Sequence, residues 1–150
     1  MTDPNAVEVL IVEDNAIDAE QTLRALRGKG LRNSLVVVED GAQALDFLFA
    51  RGKWSHRDVA TGPKMVLLDL RLPRVDGVEV LRQVKSDERT RLIPVVILTS
   101  SRQDPDIQRC YELGANSYIV KPVDFDKFAE SVAEVGFYWL LLNEPPPSGR

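Results

Sequence analysis

Five times in this sequence a short apolar run gives way to a stretch whose apolar residues recur at helical spacing, and that alternation admits few folds. The runs are Val7–Val12, Ser34–Val38, Met65–Asp69, Pro94–Thr99 and Ser117–Val120. The first helical stretch places Ala16, Ala19, Leu23 and Leu26 on one face and ends at Gly28 and Gly30. The others are Gly41–Phe49, Val78–Lys85, Ile107–Leu113 closed by Gly114, and about Phe125–Leu142. The first, third and fourth runs are apolar nearly throughout, which suits strands covered on both faces. Right-handed crossovers then put helices on both sides of a parallel sheet, so the expected class is a doubly wound α/β fold of five β–α units. Ala50–Lys64, which carries Gly52, Trp54, His56, Gly62 and Pro63, reads as a long surface loop with room for one extra turn.

The length of 150 residues suits one domain, expected over 1–143, followed by a tail at 144–150 whose three consecutive prolines cannot continue a helix. With 19 basic and 23 acidic side chains the net charge is −4, which gives no reason to expect a nucleic-acid partner. The basic residues that gather at Arg24, Arg27, Lys29 and Arg32, and at Arg82, Lys85, Arg89 and Arg91, read as solvated helix faces. The single cysteine, Cys110, excludes an intramolecular disulfide and reads as a small packing residue. The polar start, Met1–Val7, does not read as a secretory signal, so none is expected, and the apolar stretch Phe137–Leu142 is far short of a membrane span. A cytoplasmic protein is expected.

In open α/β sheets ligands bind beyond the carboxyl ends of the strands. Here the first strand ends in Glu13-Asp14, the third in Asp69, the fourth in Thr99-Ser100-Ser101 and the fifth in Lys121-Pro122. Three carboxylates brought to one rim repel each other unless a cation sits among them. Mg²⁺ (or Mn²⁺) suits such a site, because it takes few carboxylates and keeps several waters. One carboxylate then remains able to attack phosphorus. Lys121 supplies a cation for the phosphoryl oxygens and Thr99 a hydrogen bond. The combination describes a self-phosphorylating aspartate. Each residue also has a plainer role open to it: Glu13-Asp14 as part of a helix cap, with Asp14 or Asn15 well suited; Asp69 as a turn residue; Thr99 as a strand end; Lys121 as a surface lysine.

The acidic pair Glu13-Asp14, Asp69 in LLDLRLPRVDG, Thr99 in VVILTSS and Lys121-Pro122 in YIVKP together resemble the receiver domains of two-component response regulators, over roughly Val7 to Val135. The resemblance implies the flavodoxin-like (CheY-like) fold with strand order 2-1-3-4-5. It implies that Asp69 accepts a phosphoryl group from a sensor histidine kinase. Asp14, Asp69 and the backbone carbonyl of Arg71 would hold the metal, Glu13 would act through metal-bound water, and Lys121 would pair with phosphoryl oxygens. Thr99 and Tyr118 would be the switch residues, and the Lys121–Pro122 peptide would be cis. Arg71 and Ser101 occupy positions that in this family tune the lifetime of the acyl phosphate. The Ala50–Lys64 insertion, SYIVKPVDFDKF and the Phe137-Tyr138-Trp139 ending resemble the small stand-alone receivers paired with bacterial and cyanobacterial phytochromes. A phytochrome kinase would then be the input.

The last helix suggests a second partner. Phe128, Val132, Val135, Trp139 and Leu142 make one apolar face, yet Phe137, Tyr138, Leu140 and Leu141 are apolar as well. A helix apolar all round must be covered on more than one side. A homodimer through Phe137, Tyr138, Trp139 and Leu141 is expected, against the alternative of an extension folded back on its own domain. Three other functions compete. FMN binding would need a hydroxyl- and glycine-rich loop where Glu13-Asp14 stand. An aspartate-nucleophile phosphatase would need a second acid two residues after Asp69, where Arg71 stands. An unphosphorylated scaffold would have no use for the full set of carriers. With only the proline tail after the last helix, output is expected through contact with another protein or return of the phosphoryl group to a relay.

Overall fold

A computed structural model describes residues 7–28 and 34–147. Strands β1 (Val9–Val12), β2 (Leu35–Val38), β3 (Met65–Leu68), β4 (Val95–Thr99) and β5 (Ser117–Val120) form one parallel sheet in the order β2-β1-β3-β4-β5. Helices α1 (Ala16–Gly28), α2 (Gly41–Leu48), α3 (Gly77–Ser86), α4 (Asp104–Glu112) and α5 (Phe125–Phe137) follow the strands in turn. A 3₁₀ turn at Gly52–Trp54 sits in the long loop, and a π-helical turn at Tyr138–Leu142 extends α5. The expected order and the doubly wound fold are both present. Lys29, Gly30 and Arg32, residues 1–6 and residues 148–150 lie outside the described residues.

Side-chain alternation along each strand builds two cores. Leu10 and Val12 of β1, Val66 and Leu68 of β3 and Ile97 of β4 face Phe47, Leu48, Leu81 and Cys110. Val9, Ile11, Met65, Leu67, Val96 and Leu98 face the other way, onto Leu26, Phe128 and Val132. β1, β3 and β4 are buried along their whole length, whereas β5 is half-buried throughout and β2 along most of its length, as edge strands are. Cys110 is fully buried, and burial pushes its thiol up to about 11, so it packs and does not react.

Local chemistry starts the helices. Asp40, Asp76 and Asp124 accept from Gln43, Val78 and Lys127 N–H at the N-termini of α2, α3 and α5. α4 begins at Asp104 rather than at the expected Ile107, because Pro105 fits the first turn, where no N–H is needed. On α1 the buried face is Ala19, Thr22, Ala25 and Leu26, while Ala16 is exposed and Leu23 half-buried. Thr22 enters the core because its hydroxyl donates to the Asp18 carbonyl at 2.8 Å.

Two other readings are corrected. Lys85 is not on a solvated face: its ammonium donates to the carbonyls of Arg91 (3.0 Å) and Ile93 (2.7 Å) and to the Asn116 side-chain oxygen (2.9 Å). It ties the end of α3 to the entries of β4 and β5. The apolar face of the last helix also changes past Phe137. The π turn, closed by Asn143 N–H on the Tyr138 carbonyl, is wider than an α turn and brings Leu140 inward. Leu142, expected on the buried face, is 62% exposed and Trp139 is half-buried.

The Ala50–Lys64 loop is anchored on α2. Trp54 packs edge-on to Phe47 at 4.9 Å, and the Arg57 guanidinium lies 3.9 Å from the same ring while donating to the Phe47 and Thr61 carbonyls. Gly77 starts α3 against the end of β3, where a Cβ would fall 2.1 Å from the Asp69 carbonyl oxygen.

The Gly77→Ala variant is therefore expected to lose about 1–3 kcal/mol or more in thermal unfolding. Gly28→Ala, with nothing within 4 Å of the added Cβ, stays within about 1 kcal/mol of wild type. Lys85→Met strips a donor from three oxygens and is expected to cost about 1–3 kcal/mol in the same measurement.

Candidate functional site

Sheet register brings the acids together. Val12 pairs with Leu68, so the residues after them emerge side by side. Glu13 N–H donates to the Val38 carbonyl at 3.0 Å and Asp69 N–H to the Val12 carbonyl at 3.1 Å, carrying the strand pattern one residue further. Thr99 pairs with Val120, and Lys121 N–H reaches the Thr99 carbonyl at 2.7 Å. The cap of α1 is Asn15, whose side-chain oxygen accepts from Ile17 (2.9 Å) and Asp18 (3.0 Å) N–H. Of the two residues suited to that cap, Asn15 fills it, which leaves Asp14 free for the rim.

The Lys121 ammonium donates to Glu13 at 2.5 Å, Asp18 at 2.9 Å and Asp69 at 3.1 Å. The side chains of Lys121, Glu13 and Asp69 are 10%, 5% and 10% exposed, so water screens these contacts weakly. Burial pulls the ammonium down, but bonds to Glu13 and Asp18 and the charge of Asp69 outweigh it and hold it above the ordinary lysine range. Glu13 shows the opposite balance. Burial raises its carboxyl to about 7, the nearby Asp69 adds to the rise, and Lys121 offsets only part. One ammonium does not neutralise this many carboxylates.

Glu13, Asp14 and Asp69 each present a carboxylate oxygen within 4.8 Å of the others, Asp14 being the exposed member. Hard oxygen donors in a cluster short of positive charge fit Mg²⁺ or Mn²⁺. Asp18, missed at the sequence level, joins the cluster from the first turn of α1; its only signal is its place in EDNAID, one helical turn beyond Asp14.

Around the cluster, Thr99 is fully buried, and Ser101 N–H approaches its hydroxyl oxygen at 3.5 Å. The half-buried Tyr118 donates its hydroxyl to the Ser101 carbonyl at 3.0 Å. Arg71 N–H approaches an Asp69 oxygen at 3.4 Å, while its guanidinium leads away to Asp106 at 3.1 Å. Asp106, also missed, accepts from the Ser101 hydroxyl at 2.5 Å. The Lys121–Pro122 peptide is trans, which corrects the cis expectation. Trans is the lower-energy form of an X–Pro bond, and here it already lets Lys121 reach three carboxylates. Phe137, Tyr138, Trp139 and Leu141 stand apart, at the far end of α5, where Phe137, Tyr138 and Leu141 are exposed. Among the described residues no helix is long and apolar enough to cross a membrane.

The chain is similar to known proteins over most of its length. The model of the response regulator receiver domain matches residues 9–133. A protein named as a probable methanogenesis regulatory protein, FilR2, from Methanothrix harundinacea is 44% identical over 92% of this chain and 86% of its own. The structure of the bacteriophytochrome response regulator RtBRR is 50% identical, covers 94% of this chain and 84% of its own, and superposes with a TM-score of 0.74. The phosphorylated cyanobacterial phytochrome response regulator RcpA is 33% identical with a TM-score of 0.88, and the Mn²⁺-bound form of Rcp1 31% identical with 0.87; each covers 94% of this chain and 99% of its own. With its strand order, its strand-end acids and lysine, and this match, the chain belongs to the response regulator receiver family.

Proposed function

We propose that the protein is a phosphoacceptor switch in which Asp69 takes a phosphoryl group from a phosphohistidine of a sensor kinase. The observation that carries this is the Asp69 carboxylate buried among acids, 3.1 Å from the Lys121 ammonium. An Asp69 carboxylate oxygen attacks phosphorus, the N–P bond of the donor breaks, and an acyl phosphate forms while the departing imidazole nitrogen takes a proton from water. Lys121 neutralises phosphoryl oxygens as charge develops on them. Glu13, Asp14 and Asp69, with the Arg71 carbonyl, would hold Mg²⁺ or Mn²⁺, and the ion when bound neutralises phosphoryl oxygens that the lone ammonium cannot.

The phosphoryl group adds charge and acceptor oxygens beside Thr99. Thr99 then bonds it, the β4–α4 segment shifts, and Tyr118 loses its seat on the Ser101 carbonyl. The face of α4, β5 and α5 changes, which biases contact with the next protein. The exposed Phe137, Tyr138 and Leu141, with half-buried Trp139, support a homodimer through the end of α5. The names of RtBRR and RcpA support a phytochrome as the input kinase, and the proposed place of action is the cytoplasm. Arg71, a base where a phosphatase needs an acid, is engaged by Asp106, which argues against turnover of external phosphoesters.

Incubation with acetyl phosphate and Mg²⁺ is expected to add one phosphoryl group by intact mass, and none in Asp69→Asn. Lys121→Met slows formation on the order of 10²-fold. A wild-type protein that stays unmodified while a control receiver is labelled, or an Asp69→Asn variant labelled equally, overturns the reading.

A further inference from the structure

Two loops of the site and the start of α4 meet at one carboxylate that the reaction does not use. Asp106, in the first turn of α4, accepts from the Ser101 hydroxyl at 2.5 Å and from the Arg71 guanidinium at 3.1 Å, both on the same oxygen, Oδ2. Arg71 follows the phosphoacceptor by two residues, and its own N–H approaches Asp69 at 3.4 Å. Ser101 follows Thr99 by two residues, and its carbonyl seats the Tyr118 hydroxyl at 3.0 Å. One oxygen therefore links the loop after β3, the loop after β4 and the start of α4. The Asp106 side chain is 28% exposed and that of Arg71 66%, so the pair is partly screened by water and can open.

The guanidinium is the cation best placed to leave this arrangement for the phosphoryl oxygens. It sits on the same loop as Asp69, is permanently charged, and forks onto phosphate more favourably than onto a single carboxylate oxygen. While Asp106 holds it, Arg71 is turned toward α4 and away from an incoming anionic donor. We infer that Asp106 is a positioning residue, a latch that keeps Arg71 from the phosphoacceptor before phosphorylation and ties the start of α4 to that state. This rests on the phosphoacceptor reading. It adds a way for the phosphoryl group to free α4: Arg71 leaves for the phosphoryl oxygens, Asp106 loses its cation, and the Ser101 bond that remains no longer joins α4 to the β3 side.

The test measures rates of adduct formation with acetyl phosphate, by intact mass, in wild type, Asp106→Ala, Asp106→Asn, Arg71→Ala and the Asp106→Ala/Arg71→Ala double variant. Thermal unfolding of each confirms a folded protein. Freeing a surface cation beside an anionic reaction is expected to raise the rate on the order of threefold in Asp106→Ala, less at high salt. Asp106→Asn, which keeps an acceptor for Ser101 but loses the charge, is expected to behave like Asp106→Ala. The gain is expected to vanish when Arg71 is absent. A merely structural role would change the rate equally in both backgrounds, and that result overturns the latch, as do unchanged rates in both Asp106 variants. No adduct in wild type overturns the phosphoacceptor reading and the latch with it. A labelled wild type with rates indifferent to Asp106 overturns the latch alone.

Discussion

The contact of the Lys121 ammonium with Glu13, Asp18 and Asp69 is the constraint on which the rest of the rim depends. It joins the ends of β1, β3 and β5 and the first turn of α1 through one side chain. With Asp14 beside them, four carboxylates share the rim with a single ammonium, and the Glu13 carboxyl is raised, chiefly by burial and further by the charge of Asp69. A fold designed only for stability would not gather these groups at buried strand ends. The cost is understandable if the site is built to receive two further partners of opposite charge, a divalent cation and a phosphoryl group. Each changes the balance that the other meets.

The same electrostatic crowding gives the site its reach into the structure. Lys121 is continuous with β5 and bonds the Thr99 carbonyl through its backbone, so a change in its partners bears on both β4 and β5. Thr99, Ser101 and Tyr118 form a second path from the rim to β5, and Asp106 a third to α4. The far end of α5 is distant from this chemistry, yet it leaves a group of apolar side chains in water. The homodimer proposed above would cover them.

The fold was legible because its signal is repeated and local. Alternating apolar runs and helical spacing give element order, and burial on both faces separates β1, β3 and β4 from the edge strands. The three strand-end acids and Lys121 were legible for the same reason: the topology places strand ends on one rim wherever the strands are known. Asp18 and Asp106 were not, because each lies inside a helix, where an acidic residue in the first turn is favourable for the helix alone. Only the packed structure shows that both carboxylates point back at the site. Lys85 was misread because a lysine on an amphipathic helix is ordinarily solvated, and the oxygens that hold it lie outside the helix, two carbonyls in the segment that follows α3 and the side chain of the distant Asn116. The α5 face failed at Leu142 because helical spacing assumes a constant pitch, which the π turn breaks. The trans Lys121–Pro122 peptide departs from the resemblance, not from the physics of the residues.

The central claim is that the rim lacks positive charge which a divalent ion supplies. The most direct measurement is the melting temperature of wild type and Asp14→Asn as a function of Mg²⁺ concentration. Wild type is expected to gain stability saturably, by about 3 kcal/mol when Mg²⁺ is a hundredfold above its dissociation constant. Asp14→Asn, with one repulsive charge removed, is expected to be more stable than wild type without Mg²⁺ and to need at least about tenfold more of the ion for the same gain. A wild-type melting temperature indifferent to Mg²⁺, or an equal response in Asp14→Asn, would contradict the account.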